Sequence, residues 1–212
     1  MGFMAGDKIT IVGCGPGSPD LITPQALRAV ERAEVLVGAR RLLDLFPSHK
    51  AEKIAAGSDV QQVLREIEGR REKRVAVLVT GDPGLSSLAR PVRQRFGREQ
   101  CEVIPGISSV QVAFARLGLD WLGCRIVDAH GREPEVSFGE LSREEKIALL
   151  SGRMEWARRI IRGVLKAGGG HRVYCCENLT LAGERIFEVK AEEVDNFEFP
   201  PLTVLIMVRE EI

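Results

Sequence analysis

The 212 residues carry 30 Lys plus Arg against 30 Asp plus Glu, a formal net charge of zero, with 44% hydrophobic and 5% aromatic residues. That apolar content supports packed cores in one large or two small domains. The charge balance excludes a general electrostatic pull toward nucleic acid or a membrane surface, and so few aromatics argue against a base-stacking surface. No stretch approaches the ~20 apolar residues of a bilayer span, and Met1 to Lys8 has no signal-peptide core, so a cytoplasmic protein is expected. Cys14, Cys101, Cys124, Cys175 and Cys176 form an odd set without a C-x-x-C pair, which disfavours disulfides and structural zinc.

In chain order, the apolar run Ile9 to Val12 enters Gly13-Cys14-Gly15-Pro16-Gly17-Ser18-Pro19-Asp20. Thr23 then caps a helix with Pro24 at its first position and Leu27, Val30 and Ala33 on one face. Glu34 to Gly38 reads as a strand. Asp59 caps a helix with Val60, Val63, Leu64 and Ile67 inward, closed by a solvated basic run, Arg70 to Arg74. Val75 to Val79 is a second apolar run, ending in Thr80-Gly81-Asp82-Pro83-Gly84. Val103-Ile104 is a third, ending in Pro105-Gly106-Ile107-Ser108-Ser109 and followed by a helix to Leu117 with Ile107, Val110, Phe114 and Leu117 inward. Short apolar runs that end in Gly and Pro before helical periodicity predict buried parallel strands delivering loops to one edge of a sheet, where open α/β sheets bind ligands.

Gly118 to Gly123 lacks periodicity and predicts a domain boundary, giving an N-terminal α/β domain over 1–118 and a C-terminal α/β domain over 119–212. In the second half, Arg125 to Ala129, Lys146 to Leu150, His171 to Glu177, Arg185 to Val189 and Leu202 to Val208 predict strands. Met154 to Lys166 predicts a helix with Ala157, Ile160, Ile161, Val164 and Leu165 inward, ended by Gly168-Gly169-Gly170.

Gly13-Cys14-Gly15-Pro16-Gly17-Ser18 is not a dinucleotide fingerprint: Ser18 replaces the third glycine, and Pro16 and Pro19 remove backbone donors. Asp82, at a strand's carboxyl end, is placed to accept from ribose hydroxyls or face a cation, or to serve as an Asx-turn residue. Ser108 and Ser109 open a helix, as an anion site or as ordinary caps.

Val12-Gly13-Cys14-Gly15-Pro16-Gly17 with Pro19-Asp20-Leu21-Ile22-Thr23, then Gly81-Asp82-Pro83, then Pro105-Gly106-Ile107-Ser108-Ser109, in this order, resemble the tetrapyrrole methylase family from end to end. Val37-Gly38-Ala39-Arg40-Arg41-Leu42-Leu43, His130-Gly131-Arg132 and Cys176-Glu177-Asn178-Leu179 resemble its branch that methylates C5 of cobalt-precorrin-7 in cobalamin synthesis. The resemblance implies two α/β domains with S-adenosylmethionine in the cleft between them, S-adenosylhomocysteine as product, and a homodimer. It places the cofactor contacts on Pro16, Gly81, Asp82, Leu85, Ser108, Ser109, Leu150, Leu179 and Leu202. Relatives often carry an aromatic residue shortly after Gly-Asp-Pro; here Gly84-Leu85-Ser86-Ser87 stands there.

Methyl transfer from a sulfonium is driven largely by alignment, worth roughly 7–11 kcal/mol when well oriented, so few chemical residues are needed. His130 is the best titratable group for a proton lost later, and Glu177 is a second; each could equally be structural. His49 and His171 are expected to be solvated. The substrate's acetate and propionate groups call for arginines, and Arg40, Arg41 and Arg132 are the candidates. No protein metal site is expected, and any cobalt arrives inside the macrocycle. The aerobic-pathway relative joins this module to a second methylating and decarboxylating domain, so a separate C15-methyltransferase/decarboxylase partner is expected. The rival functions are another precorrin or uroporphyrinogen III methylase, a diphthine or ribosomal-RNA relative, a nucleotide-dependent oxidoreductase and a non-catalytic adenosine-binding module.

Overall fold

The computed structural model describes residues 9–131 and 133–210. It divides into two compact units, the first ending at Ser108 and the second starting at Ser109. The first holds a five-stranded, all-parallel sheet, with β1 (Ile9–Gly13), β2 (Val35–Gly38), β3 (Glu52–Ala55), β4 (Val75–Val79) and β5 (Cys101–Ile104) in the order β3-β2-β4-β1-β5. Every residue of β2 and β4 is buried, as expected for inner strands covered on both faces.

Two helices pack on one face, α1 (Pro24–Arg32) and α2 (Arg40–Leu43); α3 (Val60–Glu68) and α4 (Ala89–Phe96) pack on the other. The caps form as the sequence predicts: Thr23 accepts from the Ala26 N–H at 3.1 Å and Asp59 from the Gln62 N–H at 3.1 Å. On α1 the buried stripe is Ala26, Val30 and Ala33, whereas Leu27 is 39% exposed. Leu27 therefore falls off the predicted face: at 3.6 residues per turn Ala26, Val30 and Ala33 fall on one narrow stripe, and Leu27 lies about 120° around the helix from Ala33. The basic run after α3 is solvated, with Arg71 to Arg74 exposed, and it carries surface ion pairs. Arg70 reaches Glu66 and Glu52, Lys73 also reaches Glu52, and Arg74 reaches Glu34.

The second unit begins with α5 (Ser109–Leu117), which packs on the sheet formed by β6 (Arg125–Ala129), β7 (Lys146–Ser151), β8 (His171–Glu177), β9 (Arg185–Val189) and β10 (Thr203–Arg209). The order is β6-β7-β10-β8-β9; β6 and β7 are parallel and the other pairs antiparallel. The short α6 (Phe138–Leu141) and the long α7 (Met154–Lys166) join a core in which Ala157, Ile160, Ile161 and Val164 meet Ile147, Leu149 and Leu205. This division falls ten residues before the boundary placed at Gly118, because Val110, Ala113 and Phe114 of α5 are buried and the helix lies on β10. His171 is also not solvated: it is 7% exposed, with Nε2 2.8 Å from the Glu144 carbonyl. Among the described residues no helix is long and apolar enough to cross a membrane.

Replacing Val30 with Ala removes two fully buried carbons and is expected to cost about 2 kcal/mol in urea unfolding. Leu27→Ala on the same helix is expected to stay within about 0.5 kcal/mol. Equal losses would contradict this burial pattern.

Candidate active site

The three Gly/Pro turns follow β1, β4 and β5, which are adjacent and parallel, so all three leave the same sheet edge side by side. From β1 the chain crosses to β2 through α1; from β4 it crosses over β1 to β5 through α4 on the opposite face. The carboxyl edge of an open sheet of this kind is the usual ligand position.

The turns touch one another through backbone. The Gly81 N–H donates to the Gly15 carbonyl at 2.8 Å, and the Cys14 N–H to the Val79 carbonyl at 2.9 Å. A Cβ on Gly13 would lie 2.6 Å from the Gly106 nitrogen, and one on Gly106 would overlap the Gly81 carbonyl oxygen. Side chains have no room at either position. Gly15 and Gly81 also have φ of 72° and 65°, the left-handed region that glycine enters without penalty.

Asp82 ties this arrangement together. Its Oδ1 accepts from the Gly84 N–H at 2.7 Å, and its Oδ2 from the Gly106 N–H at 3.1 Å, clipping the turn after β4 to the turn after β5. The Asx-turn geometry is therefore present, and it spans two loops rather than one. Leu85 follows, half-buried, with its N–H on the Asp82 carbonyl. Pro16 is buried in the first turn, and Ser108 is buried where the third turn runs into α5, whose first residue is Ser109.

Arg41 projects into this edge and donates from Nη2 to Thr80 Oγ1 at 2.6 Å. Partial burial pulls its pKa down, yet a guanidinium stays charged, and among the described residues Arg41 has no carboxylate at ion-pair distance. Arg40 beside it is exposed. The third predicted arginine, Arg132, lies outside the described residues. Burial pushes the Cys14 thiol up to about 12, which makes it a poor nucleophile despite its place in the first turn.

Within the second unit, strand register collects the remaining candidates at one edge. Asp128 pairs with Leu150, Val204 with Leu150, and Thr203 with Glu177, while the Asn178 N–H reaches the Leu202 carbonyl at 3.3 Å. Leu150 and Leu179 are buried and Leu202 is 47% exposed. His130 follows β6, with Nδ1 3.0 Å from Asp128 Oδ1. If the ring proton sits on Nδ1, as that contact favours, Nε2 is left as the acceptor.

Glu177 does not suit proton transfer. It is 1% exposed, and its Oε2 accepts from Arg185 Nε at 2.9 Å and Nη2 at 2.6 Å, so the carboxylate is committed to an ion pair away from solvent. Of its two sequence roles, the strand-end acceptor is the one the geometry provides. Asn178, Thr180 and Leu202 have φ of 49°, 67° and 65°, each costing about 1–3 kcal/mol outside glycine, and such strain gathers at functional sites.

Sequence reasoning missed Asp128, Thr80 and Arg185. Asp128 was within reach, two residues before His130 and so on the same strand face. The contacts to Thr80 and Arg185 depend on pairing between distant segments.

A family model, Tetrapyrrole (Corrin/Porphyrin) Methylases, matches residues 8–195. The chain belongs to the tetrapyrrole methylases. It is 35% identical over 199 residues to a cobalt-precorrin-7 C(5)-methyltransferase of Salmonella typhimurium, covering 93% of this chain and 98% of the relative. A crystal structure of a cobalamin biosynthesis precorrin-6Y methylase from Archaeoglobus fulgidus superposes with a TM-score of 0.73 at 32% identity, covering 98% of this chain and 100% of that one. A uroporphyrin-III C-methyltransferase from Thermus thermophilus, solved with S-adenosylhomocysteine, shares the fold at a TM-score of 0.78 and 24% identity, covering 95% of this chain and 97% of that one.

Gly106→Ala puts a methyl group onto the Gly81 carbonyl and is expected to disrupt the packed turns of this methylase. Thermal melting should fall by several degrees and S-adenosylhomocysteine affinity by at least tenfold, while Gly57→Ala, with open space around it, leaves affinity unchanged. Wild-type affinity in Gly106→Ala would contradict the packed-turn geometry.

Proposed function

We propose that this methylase is an S-adenosylmethionine-dependent C-methyltransferase of cobalamin biosynthesis that methylates C5 of cobalt-precorrin-7. The observation that carries the proposal is the nearly full-length likeness to the Salmonella enzyme. The first sheet edge suits the methyl donor: glycine backbone packed where β1, β4 and β5 end, beside a carboxylate, two serines at a helix start and a half-buried arginine.

On this proposal Pro16, Gly81, Asp82, Leu85, Ser108, Ser109, Leu150, Leu179 and Leu202 hold the cofactor. Bound S-adenosylmethionine supplies an electrophilic methyl group, and S-adenosylhomocysteine is left behind. Asp82 acts chiefly by fixing two loops, since both its oxygens already accept backbone N–H groups. Arg41, with Arg40 and Arg132, pairs with acetate and propionate groups of the macrocycle and orients it. The ring carbon attacks with its own enamine electrons, so the protein's part is alignment and exclusion of water. His130 Nε2 takes up the proton released after the new carbon–carbon bond forms. Asp128 holds the imidazole ring and stabilises the imidazolium that results. A cytoplasmic homodimer is the assembly we propose, and the five unpaired cysteines suit a reducing compartment.

Incubation with S-adenosylmethionine and cobalt-precorrin-7, read by mass spectrometry, should add one methyl group, located at C5. Methylation only of another precorrin or of uroporphyrinogen III would move the chain to a different branch, and no methylation of any tetrapyrrole would overturn the proposal. His130→Ala should lower kcat by about 10²–10⁴-fold with the donor KM unchanged. A change in kcat of less than threefold would leave His130 a structural residue.

A further inference from the structure

Within the second unit, the turn that follows β8 is held from outside. Asn178 and Thr180 both sit in the left-handed region, at φ of 49° and 67°, with buried Leu179 between them. Threonine is β-branched and resists that conformation more than most residues, so the surroundings must impose it. Glu184 does so. Its Oε2 accepts the backbone N–H of Thr180 at 2.5 Å, while its Oε1 accepts from Arg116 Nε at 2.7 Å. Arg116 lies in the last turn of α5, where a cation also complements the helix dipole. The Leu181 N–H on the Asn178 carbonyl, at 2.9 Å, and the Glu184 N–H on the Leu181 carbonyl, at 3.1 Å, complete a compact loop.

We propose that Glu184 is a positioning residue: braced by Arg116, it holds residues 178–180 so that Leu179 forms part of the wall against which the methyl donor binds. This deepens the function proposed above and rests on it for the identity of the ligand. The brace also ties two sets of donor contacts together, because α5 is a single nine-residue helix with Ser109 at one end and Arg116 in its last turn. The Arg116 guanidinium holds the Glu184 carboxyl below its ordinary pKa, so Glu184 keeps its charge and both bonds at neutral pH. Glu184 touches no reacting atom in this scheme, and its effect should fall on donor binding rather than on the chemical step.

The test compares Glu184→Gln and Arg116→Met with wild type. S-adenosylhomocysteine binding is measured by calorimetry, and KM for each substrate and kcat by turnover. We expect the donor KM and the homocysteine Kd to rise about ten- to a hundredfold, the scale of a small misplacement. The kcat at saturating donor and the tetrapyrrole KM should stay within twofold, and Arg116→Lys, which keeps the charge, should recover most of the affinity. Arg172→Met, which breaks a surface pair with Glu188 between β8 and β9, serves as a control that leaves the donor KM unchanged. Unchanged donor affinity in folded Glu184→Gln and Arg116→Met would overturn the proposal. So would a parallel fall of kcat and both affinities tracking a lower melting point, which marks a purely structural role. Wild type that binds S-adenosylhomocysteine without methylating cobalt-precorrin-7 would remove the substrate assignment and leave this inference standing. Wild type that binds no S-adenosylhomocysteine would remove both.

Discussion

The rest of the first unit depends on a close approach of backbone to backbone. Gly13, Gly81 and Gly106 meet where three parallel strands end, and a single Cβ at Gly13 or Gly106 would drive the turns apart. Contact at that range lets the loops behave as one rigid surface rather than as three separate ones. The Asp82 carboxylate adds direction, since its two oxygens fix the relative heights of the turns after β4 and β5. A ligand meeting such an edge finds its partners already arranged, and little ordering entropy remains to oppose binding.

The second unit uses strain where the first uses glycine. Its edge holds Asn178, Thr180 and Leu202 in left-handed conformations that ordinary residues avoid, and hydrogen bonds keep them there. Strain maintained by specific bonds is tunable: removing one bond shifts a local wall without unfolding the sheet beneath. The chemistry proposed for this methylase asks for that division. A reduced tetrapyrrole carries its own nucleophilic carbon, so the protein has to align two ligands, shed water and accept a proton. Only the last step needs a titratable side chain, and the Asp128–His130 pair has a suitable arrangement.

Much of the fold was legible because local signals agreed with the tertiary demand. The fully apolar β4, the Thr23 and Asp59 caps and the stripe on α7 each leave a pattern that no other element type would produce. The helix α4 leaves a weak pattern, with only Ala89, Val92 and Phe96 buried, and its Pro91 at the third helical position displaces no intrahelical donor. Strand β3 was missed for a different reason: it is a four-residue edge strand, largely exposed, and Ile54 alone packs on the core, too little to mark a period. The unit boundary at Ser109 rather than Gly118 turned on which sheet α5 covers, and periodicity reveals only that a helix has an apolar face.

The site was legible in its turns and less so in its partners. Gly13, Gly81, Asp82 and Gly106 announce themselves by residue type, whereas the burial of Glu177 against Arg185 and the bond from Arg41 to Thr80 come from strand pairing and chain crossing. The most direct test of the central idea, that the three turns together grip the methyl donor, is hydrogen–deuterium exchange with and without S-adenosylhomocysteine. Amides in segments 13–18, 80–86 and 105–110 should slow together when the ligand is added. Protection confined to one of these segments, or found only elsewhere in the chain, would contradict the account.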